Sequence, residues 1–296
     1  PHPGHGDVVL HFPLTLPGSK RRTFPQILPH VPVPDLGGGT LIPFFGTGAD
    51  AQYLHNEGHK LVRCGDGNPH LCKLYNQLRA ATAATMAAVT RLVAVFPRDL
   101  DGQRAWYIDT RAQYNAAHVA GIDTPDSAAL FLAVWRTAFN GLARANARGL
   151  INSPAGMAAS NGPKKSLVDL KALSGFAEWL AAIPPVECAD YVKVLHGAVP
   201  GDTVYLDPPY VGTFDGYFGK GFDTDRLVQD VRAIPGDVAW ALSNAVSPRW
   251  ASDFPDATQI MIRRAGTVSC KASTRDSVPE VLIVQRRSSE TREETP

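Results

Sequence analysis

Four consecutive residues, Asp207-Pro208-Pro209-Tyr210, combine a carboxylate, two rigid imino acids and an aromatic ring. They follow the run Asp202-Thr203-Val204-Tyr205-Leu206, whose apolar and β-branched residues predict a buried strand. Ligand sites of open α/β sheets lie at the carboxyl ends of strands. Proline donates no backbone hydrogen bond, so the Pro-Pro pair ends the ladder and leaves carbonyl oxygens free to accept. A planar amine held by these acceptors and stacked on Tyr210 fits that chemistry. The plainer alternative is a strand-terminating turn that happens to contain Asp and Tyr.

A second group stands earlier in the chain. Thr40-Leu41-Ile42-Pro43-Phe44-Phe45 reads as a short strand, followed by Gly46-Thr47-Gly48, a helical segment from Ala49 to Glu57 and a second strand from Lys60 to Cys64. A Gly-rich strand-to-helix turn lets a ligand approach the backbone closely. The turn lacks the Gly-Lys-Ser/Thr of a phosphate loop and the third glycine of the dinucleotide fingerprint, so a nucleoside without phosphates is the better match. Asp66 lies 18 residues beyond Gly48, about where an acidic side chain meets ribose hydroxyls. Asn68, just before Pro69, is equally suited to capping a helix.

These residues must be carried by a sheet assembled from both ends of the chain. Strands are expected at Thr203–Leu206, Val238–Leu242 and Val281–Gln285, the last pairing antiparallel with Gln259–Arg263. Residues 71–92 read as helix, as do Ser127–Ala138 and Lys165–Ala182. The organisation predicted is a catalytic domain of residues 7–79 and 185–290 with a mainly helical insertion at 80–184. The fold class is α/β, a Rossmann-like, mostly parallel seven-stranded sheet. Residues 1–6 and the charged run from Arg286 stay outside that argument.

Composition narrows the partners. At 296 residues, 44% hydrophobic and net charge +1, the chain has an ordinary globular balance, and a polyanionic partner must meet a local patch. Such a patch is visible: from Arg136 to Val168 there are five basic residues, Arg136, Arg144, Arg148, Lys164 and Lys165, and no acidic one. That asymmetry fits a phosphate-facing loop, the alternative being an ordinary solvated loop. A smaller cluster, Arg263, Arg264, Lys271 and Arg275, invites the same pair of readings. Four scattered cysteines without a Cys-x-x-Cys pair argue against a zinc ribbon or disulfide framework and for a reducing, cytoplasmic setting. No apolar run reaches membrane-spanning length, so no membrane partner is expected. His55 and His59 have helical metal-ligand spacing but no third ligand nearby, and are read as surface histidines.

In their order, these segments resemble a Dam-like, alpha-group adenine-N6 DNA methyltransferase, from Pro17 to about Val284. The matching stretches are Pro17-Gly18-Ser19-Lys20-Arg21-Arg22, Pro43-Phe44-Phe45-Gly46-Thr47-Gly48, Asp66-Gly67-Asn68, Phe139 to Asn146 with Ile151-Asn152-Ser153-Pro154, Asp190-Tyr191, Asp207-Pro208-Pro209-Tyr210, and the late strands with Leu242-Ser243-Asn244 and Pro279-Glu280-Val281-Leu282-Ile283. Where the family has a Glu before Pro-Phe, this chain has Ile42.

The resemblance implies S-adenosylmethionine as cofactor, no metal, and duplex DNA as substrate, entered by base flipping. It implies that Gly18 and Lys20 meet the methionine end, Phe44, Phe45, Gly46, Thr47 and Gly48 line its path, Asp66 and Asn68 serve the ribose side, and Asp190 with Tyr191 holds the adenine. Asp207, Pro208 and Tyr210 would be catalytic, with Asp207 also beside the cofactor. Asn140, Arg144, Asn146, Arg148, Asn152 and Pro154 would contact DNA. A monomer or weak dimer in a bacterial or phage setting is expected. Two readings stay open beside it: a cytosine-N4 or RNA amino-methyltransferase, since the geometry suits any planar amine, and a DNA-binding relative with a decayed cofactor site, suggested by Ile42.

Overall fold

The structure, a computed structural model, describes residues 20–156, 162–211, 222–262 and 279–288. Gly18 and the cluster Arg263, Arg264, Lys271 and Arg275 lie outside the described residues. In chain order the elements are α1 (Phe24–Ile27), β1 (Thr40–Ile42), α2 (Ala49–Asn56), β2 (Leu61–Asp66), α3 (Pro69–Ala80), α4 (Thr82–Val95), α5 (Leu100–Val119), α6 (Pro125–Thr137), α7 (Leu170–Ala181), β3 (Val186–Cys188), α8 (Tyr191–Leu195), β4 (Thr203–Leu206), α9 (Thr224–Arg232), β5 (Ala239–Ala245), α10 (Arg249–Asp253), β6 (Thr258–Ile262) and β7 (Glu280–Gln285). The sheet has seven strands in the order β3-β2-β1-β4-β5-β7-β6. β1 pairs in parallel with β2 and β4, and β4 with β5, while β7 runs antiparallel between β5 and β6. The expected mostly parallel seven-stranded sheet is therefore present, including the β6–β7 pairing.

The chain forms two compact units. Among the described residues one holds 20–67, 189–211, 222–262 and 279–288, and the other 68–156 and 162–188. In the first, the strands are apolar on both faces, as parallel strands covered by helices must be: every residue of β1, β4 and β5 is buried. Leu41, Val204, Leu206, Leu242 and Ile283 pack there with Leu227, Val228 and Val231 of α9 and with Trp250 and Phe254. β1 and β4 are adjacent and parallel, so the loops leaving their carboxyl ends emerge side by side.

The second unit is mainly helical, and its helices start where side chains cap them. Asn68 accepts from His70 N–H at 3.0 Å ahead of Pro69, Asp99 from Gly102 N–H at 2.7 Å, and Thr124 and Ser127 form a reciprocal capping box. The helix expected over 71–92 is two helices, meeting at 114°. Ala81 breaks it with φ −130° and ψ 45°. Thr82 and Thr85 donate their hydroxyls to the carbonyls of Leu78 and Gln77, competing with helical N–H groups for those acceptors. No single helix among the described residues is long and apolar enough to cross a membrane.

Candidate functional site

Within the first unit, Asp207-Pro208-Pro209-Tyr210 follows β4 immediately, and Asn244 of β5 accepts the Val211 N–H at 3.0 Å to fix the exit of the turn. Lys20 comes to the same place from the far end of the sequence. Its side chain is fully buried, with Nζ 2.9 Å from Asp207 Oδ1, 3.5 Å from Glu280 Oε2 and 4.4 Å from the Tyr210 ring centroid, and it donates to the Tyr210 hydroxyl. Burial opposes the ammonium charge, but Asp207, Tyr210 and Glu280 outweigh it and hold Lys20 above the ordinary lysine value. Burial raises Asp207, Lys20 pulls it back, and Glu280 raises it again. A third acid joins them: Asp50, in the first turn of α2, is buried and raised well above a normal carboxyl by burial and by Asp207, with Lys20 opposing. The result is one buried cation among three acids, Asp50 and Glu280 buried and Asp207 partly open, where water screens the charges little.

The glycine loop stands beside this cluster at the end of β1. Gly46 has φ 52° and Gly48 φ 72°, both in the left-handed region. Asp66 accepts the Gly46 N–H at 2.8 Å, and Gly48 N–H closes the turn on the Phe45 carbonyl at 2.8 Å. Nothing lies within 4 Å of where a Cβ on Gly46 would stand, so the loop leaves open space there. Thr47 and Phe45 are buried.

Next to the loop, Phe44 stacks on Tyr191 with centroids 5.1 Å apart, and Phe222 closes on both at 5.8 and 6.0 Å. Tyr191 is anchored by its hydroxyl to Asp230 at 2.6 Å, with the Arg226 guanidinium 5.4 Å from its ring. Asp190 caps α8 through the Val192 N–H and pairs with Arg226 at 3.0 Å. Asp50, Phe222, Arg226 and Asp230 were not picked out from the sequence. Only Asp50 left a local trace there, as an acid one residue into an otherwise small and apolar helix start.

The other expected residues lie in the helical unit. Asn68 caps α3. Asn140, Arg144, Asn146, Arg148, Asn152 and Pro154 share one antiparallel hairpin, with bridges Ala138↔Ala155 and Ala145↔Ile151, and all six are exposed. Ala143, Ile151 and Ser153, alternating with them, are buried. Asn140 has φ 55°, unusual for a residue other than glycine. The Asn146 side chain accepts from the Arg148 and Leu150 N–H groups and shapes the turn, leaving Arg144 and Arg148 as its exposed cations. At the hairpin's base, Trp135, Arg136, Ala138, Asn140, Gly141, Gly156 and Lys164 line a cavity of about 260 Å³. Burial lowers Arg136 and Lys164, and Arg136 lowers Lys164 further.

His59 departs from expectation. It is buried, its Nδ1 pairs with the Thr40 hydroxyl at 2.9 Å, and burial pushes it down to about 4. Among the described residues, Cys64, Cys72 and Cys188 form no disulfide. Among the described residues no group of three or more His, Cys, Asp or Glu is placed to hold a metal.

Comparison with known proteins places this architecture. Residues 17–233 match the model of the D12 class N6 adenine-specific DNA methyltransferases. The chain is 26% identical over 278 residues to the type II methyltransferase M1.LlaDCHI of Lactococcus lactis subsp. cremoris, covering 90% of this chain and 92% of that protein. It is 26% identical over 272 residues to the retron Ec67 DNA adenine methylase of Escherichia coli, covering 90% and 88%. A DNA adenine methylase of Vibrio cholerae is 26% identical over 252 residues, covering 82% and 85%.

Proposed function

The chain belongs to the D12 class of N6 adenine-specific DNA methyltransferases, and from that premise we propose which residues serve the reaction: Asp207, Pro208 and Tyr210 hold a flipped adenine of duplex DNA, and the β1 loop with its neighbours holds S-adenosylmethionine. The observation that carries this reading is adjacency: β1 and β4 are parallel neighbours, so the Phe44–Gly48 loop and the Asp207 turn open side by side at their carboxyl ends.

The residues fit the cofactor the family uses. Gly46 leaves room for it, the Asp66 carboxylate suits sugar hydroxyls, Phe44, Tyr191 and Phe222 offer aromatic surface to a base, and the acids around Lys20 suit a sulfonium. Asp190 and Asn68 are proposed at the base and ribose ends, and Gly18 and Lys20 at the methionine end. When bound, the cofactor supplies an electrophilic methyl group.

The chain's own work is placement. An adenine amine is a weak nucleophile because its lone pair is delocalised into the ring. The Asp207 carboxylate and the Pro208 carbonyl accept its two N–H groups and favour a pyramidal nitrogen. Orientation of this kind recovers about 7–11 kcal/mol of barrier. Tyr210 stacks on the base, worth about 1–3 kcal/mol. A base in a duplex cannot reach the turn, so it leaves the stack.

DNA is proposed to meet the helical unit, the target-recognition part, through its hairpin. Arg144, Asn140, Asn146, Arg148, Asn152 and Pro154 face outward there, and an Arg fork to guanine is the commonest specific base contact. Among the described residues no acid lines the cavity holding Arg136 and Lys164, which suits a phosphate group. Flipping is tested with duplexes carrying 2-aminopurine at the target adenine: binding should raise its fluorescence. Binding without that rise overturns the base-flipping reading.

A further inference from the structure

The hairpin is braced by one face of α5, on which Tyr107, Arg111 and Asn115 follow at four-residue spacing. Tyr107 donates its hydroxyl to the Ser153 carbonyl at 2.7 Å, and Arg111 Nη1 donates to the same oxygen at 2.5 Å. Asn115 does something different. Its Nδ2 donates to the Ile151 carbonyl at 2.9 Å and its Oδ1 accepts the Ile151 N–H at 2.9 Å.

The hairpin's own bonding explains why Ile151 needs this. Asn146 N–H bonds the Leu150 carbonyl at 2.9 Å, and Asn152 N–H bonds the Arg144 carbonyl at 3.0 Å. Ala145 and Ile151, paired between those bonds, form the non-hydrogen-bonded kind of antiparallel pair, so the backbone groups of Ile151 point away from Ala145. Ile151 is buried, and unpaired groups there would be costly. The Asn115 carboxamide stands where the peptide group of a third strand would. It fixes the strand at the residue opposite Ala145, between Arg144 and Asn146.

We propose that Asn115 is a positioning residue for DNA sequence discrimination, setting the register in which the hairpin presents Arg144 to the bases. This rests on the reading of the hairpin as the DNA-contacting element. Asn115 touches neither base nor cofactor in this account, and its effect passes through the Ile151 backbone.

The test compares wild type, Asn115→Leu, Arg144→Ala and Gln113→Ala, an exposed site on the same helix. Methylation of a randomised duplex library defines the preferred word; rates are then measured on that word and on its single-base variants, with cofactor affinity read by calorimetry. Two hydrogen bonds are lost in Asn115→Leu, so KM for the preferred duplex should rise about tenfold and discrimination should fall by a similar factor, with kcat and cofactor affinity kept. Gln113→Ala should match wild type. Discrimination kept in Asn115→Leu but lost in Arg144→Ala overturns the role of Asn115 alone. Discrimination kept in both overturns the hairpin reading, and this proposal with it. Loss of kcat, cofactor affinity and discrimination together in Asn115→Leu marks a general folding defect and also overturns the proposal. Should that variant not fold, Asn115→Asp, which keeps the acceptor for the Ile151 N–H and loses the donor, replaces it; with one hydrogen bond lost, KM should rise and discrimination fall by about threefold, with kcat and cofactor affinity kept.

Discussion

Lys20 Nζ lies 2.9 Å from Asp207 Oδ1, joining the turn ahead of α1 to the carboxylate of the Asp-Pro-Pro-Tyr turn. Glu280 from β7 and Asp50 from α2 share the same cation, so four distant stretches of sequence meet at one buried charge cluster.

The cluster predicts a pH-dependent stability. Burial raises Asp50 above the ordinary carboxyl range, so between the unfolded value, about 3.9, and the folded one the folded chain binds more protons than the unfolded chain. Stability then falls as pH rises through that window. Asp50→Asn removes this loss: its Tm should equal wild type near pH 4 and exceed it near pH 8, with about the unfolded carboxyl value as the lower bound. Lys20→Met should do the reverse, costing about 3–5 kcal/mol at neutral pH and less in acid, because it leaves buried acids without their cation. Thermal melts across that range check both, and a pH-independent difference for either variant contradicts the assignment.

Gly46 should be required for the cofactor more than for the fold. A Cβ there meets no atom, but φ 52° strains any other residue by about 1–2 kcal/mol and the new methyl enters the open space. Gly46→Ala should melt a few degrees lower, bind S-adenosylmethionine about tenfold more weakly, and bind DNA as before. Unchanged calorimetric affinity for the cofactor would place it elsewhere.

The two cations in the hairpin-base cavity should act on phosphate, without regard to sequence. Lys164→Gln should weaken binding to all duplexes alike and reduce the slope of log K against log salt by about 1. Titrations at several salt concentrations measure it. A changed methylated word with an unchanged slope would make Lys164 a base reader.

What the sequence disclosed followed local signals. β4 was legible to the residue because an apolar run ends abruptly at Asp207-Pro208, and the β6–β7 pairing because both strands are short and punctuated. α5 was not seen. Its buried positions are Gln103, Tyr107, Thr110 and Tyr114, of which Gln103, Tyr107 and Tyr114 hold their neighbours by hydrogen bonds as well as by packing, so the apolar periodicity that announces a helix is faint. The charge cluster was illegible for another reason: Lys20 from a turn before α1, Asp50 from α2, Asp207 from the end of β4 and Glu280 from β7 are brought together only by the tertiary fold. The replacement of the family's Glu by Ile42 looked like a loss of charge near the cofactor. Ile42 is a buried strand residue, and the acids of this region come from α2 and β7.

The central claim, that the Asp207 turn directs methyl transfer to the amine of adenine, is tested most directly by nucleoside analysis. Duplex DNA of mixed sequence is incubated with S-adenosylmethionine and wild type or Asp207→Asn, then digested and separated. The account predicts N6-methyladenine as the product of wild type, and a rate lower by about 10²–10³ for Asp207→Asn with duplex binding retained. N4-methylcytosine as the product, or an Asp207→Asn variant as active as wild type, would contradict it.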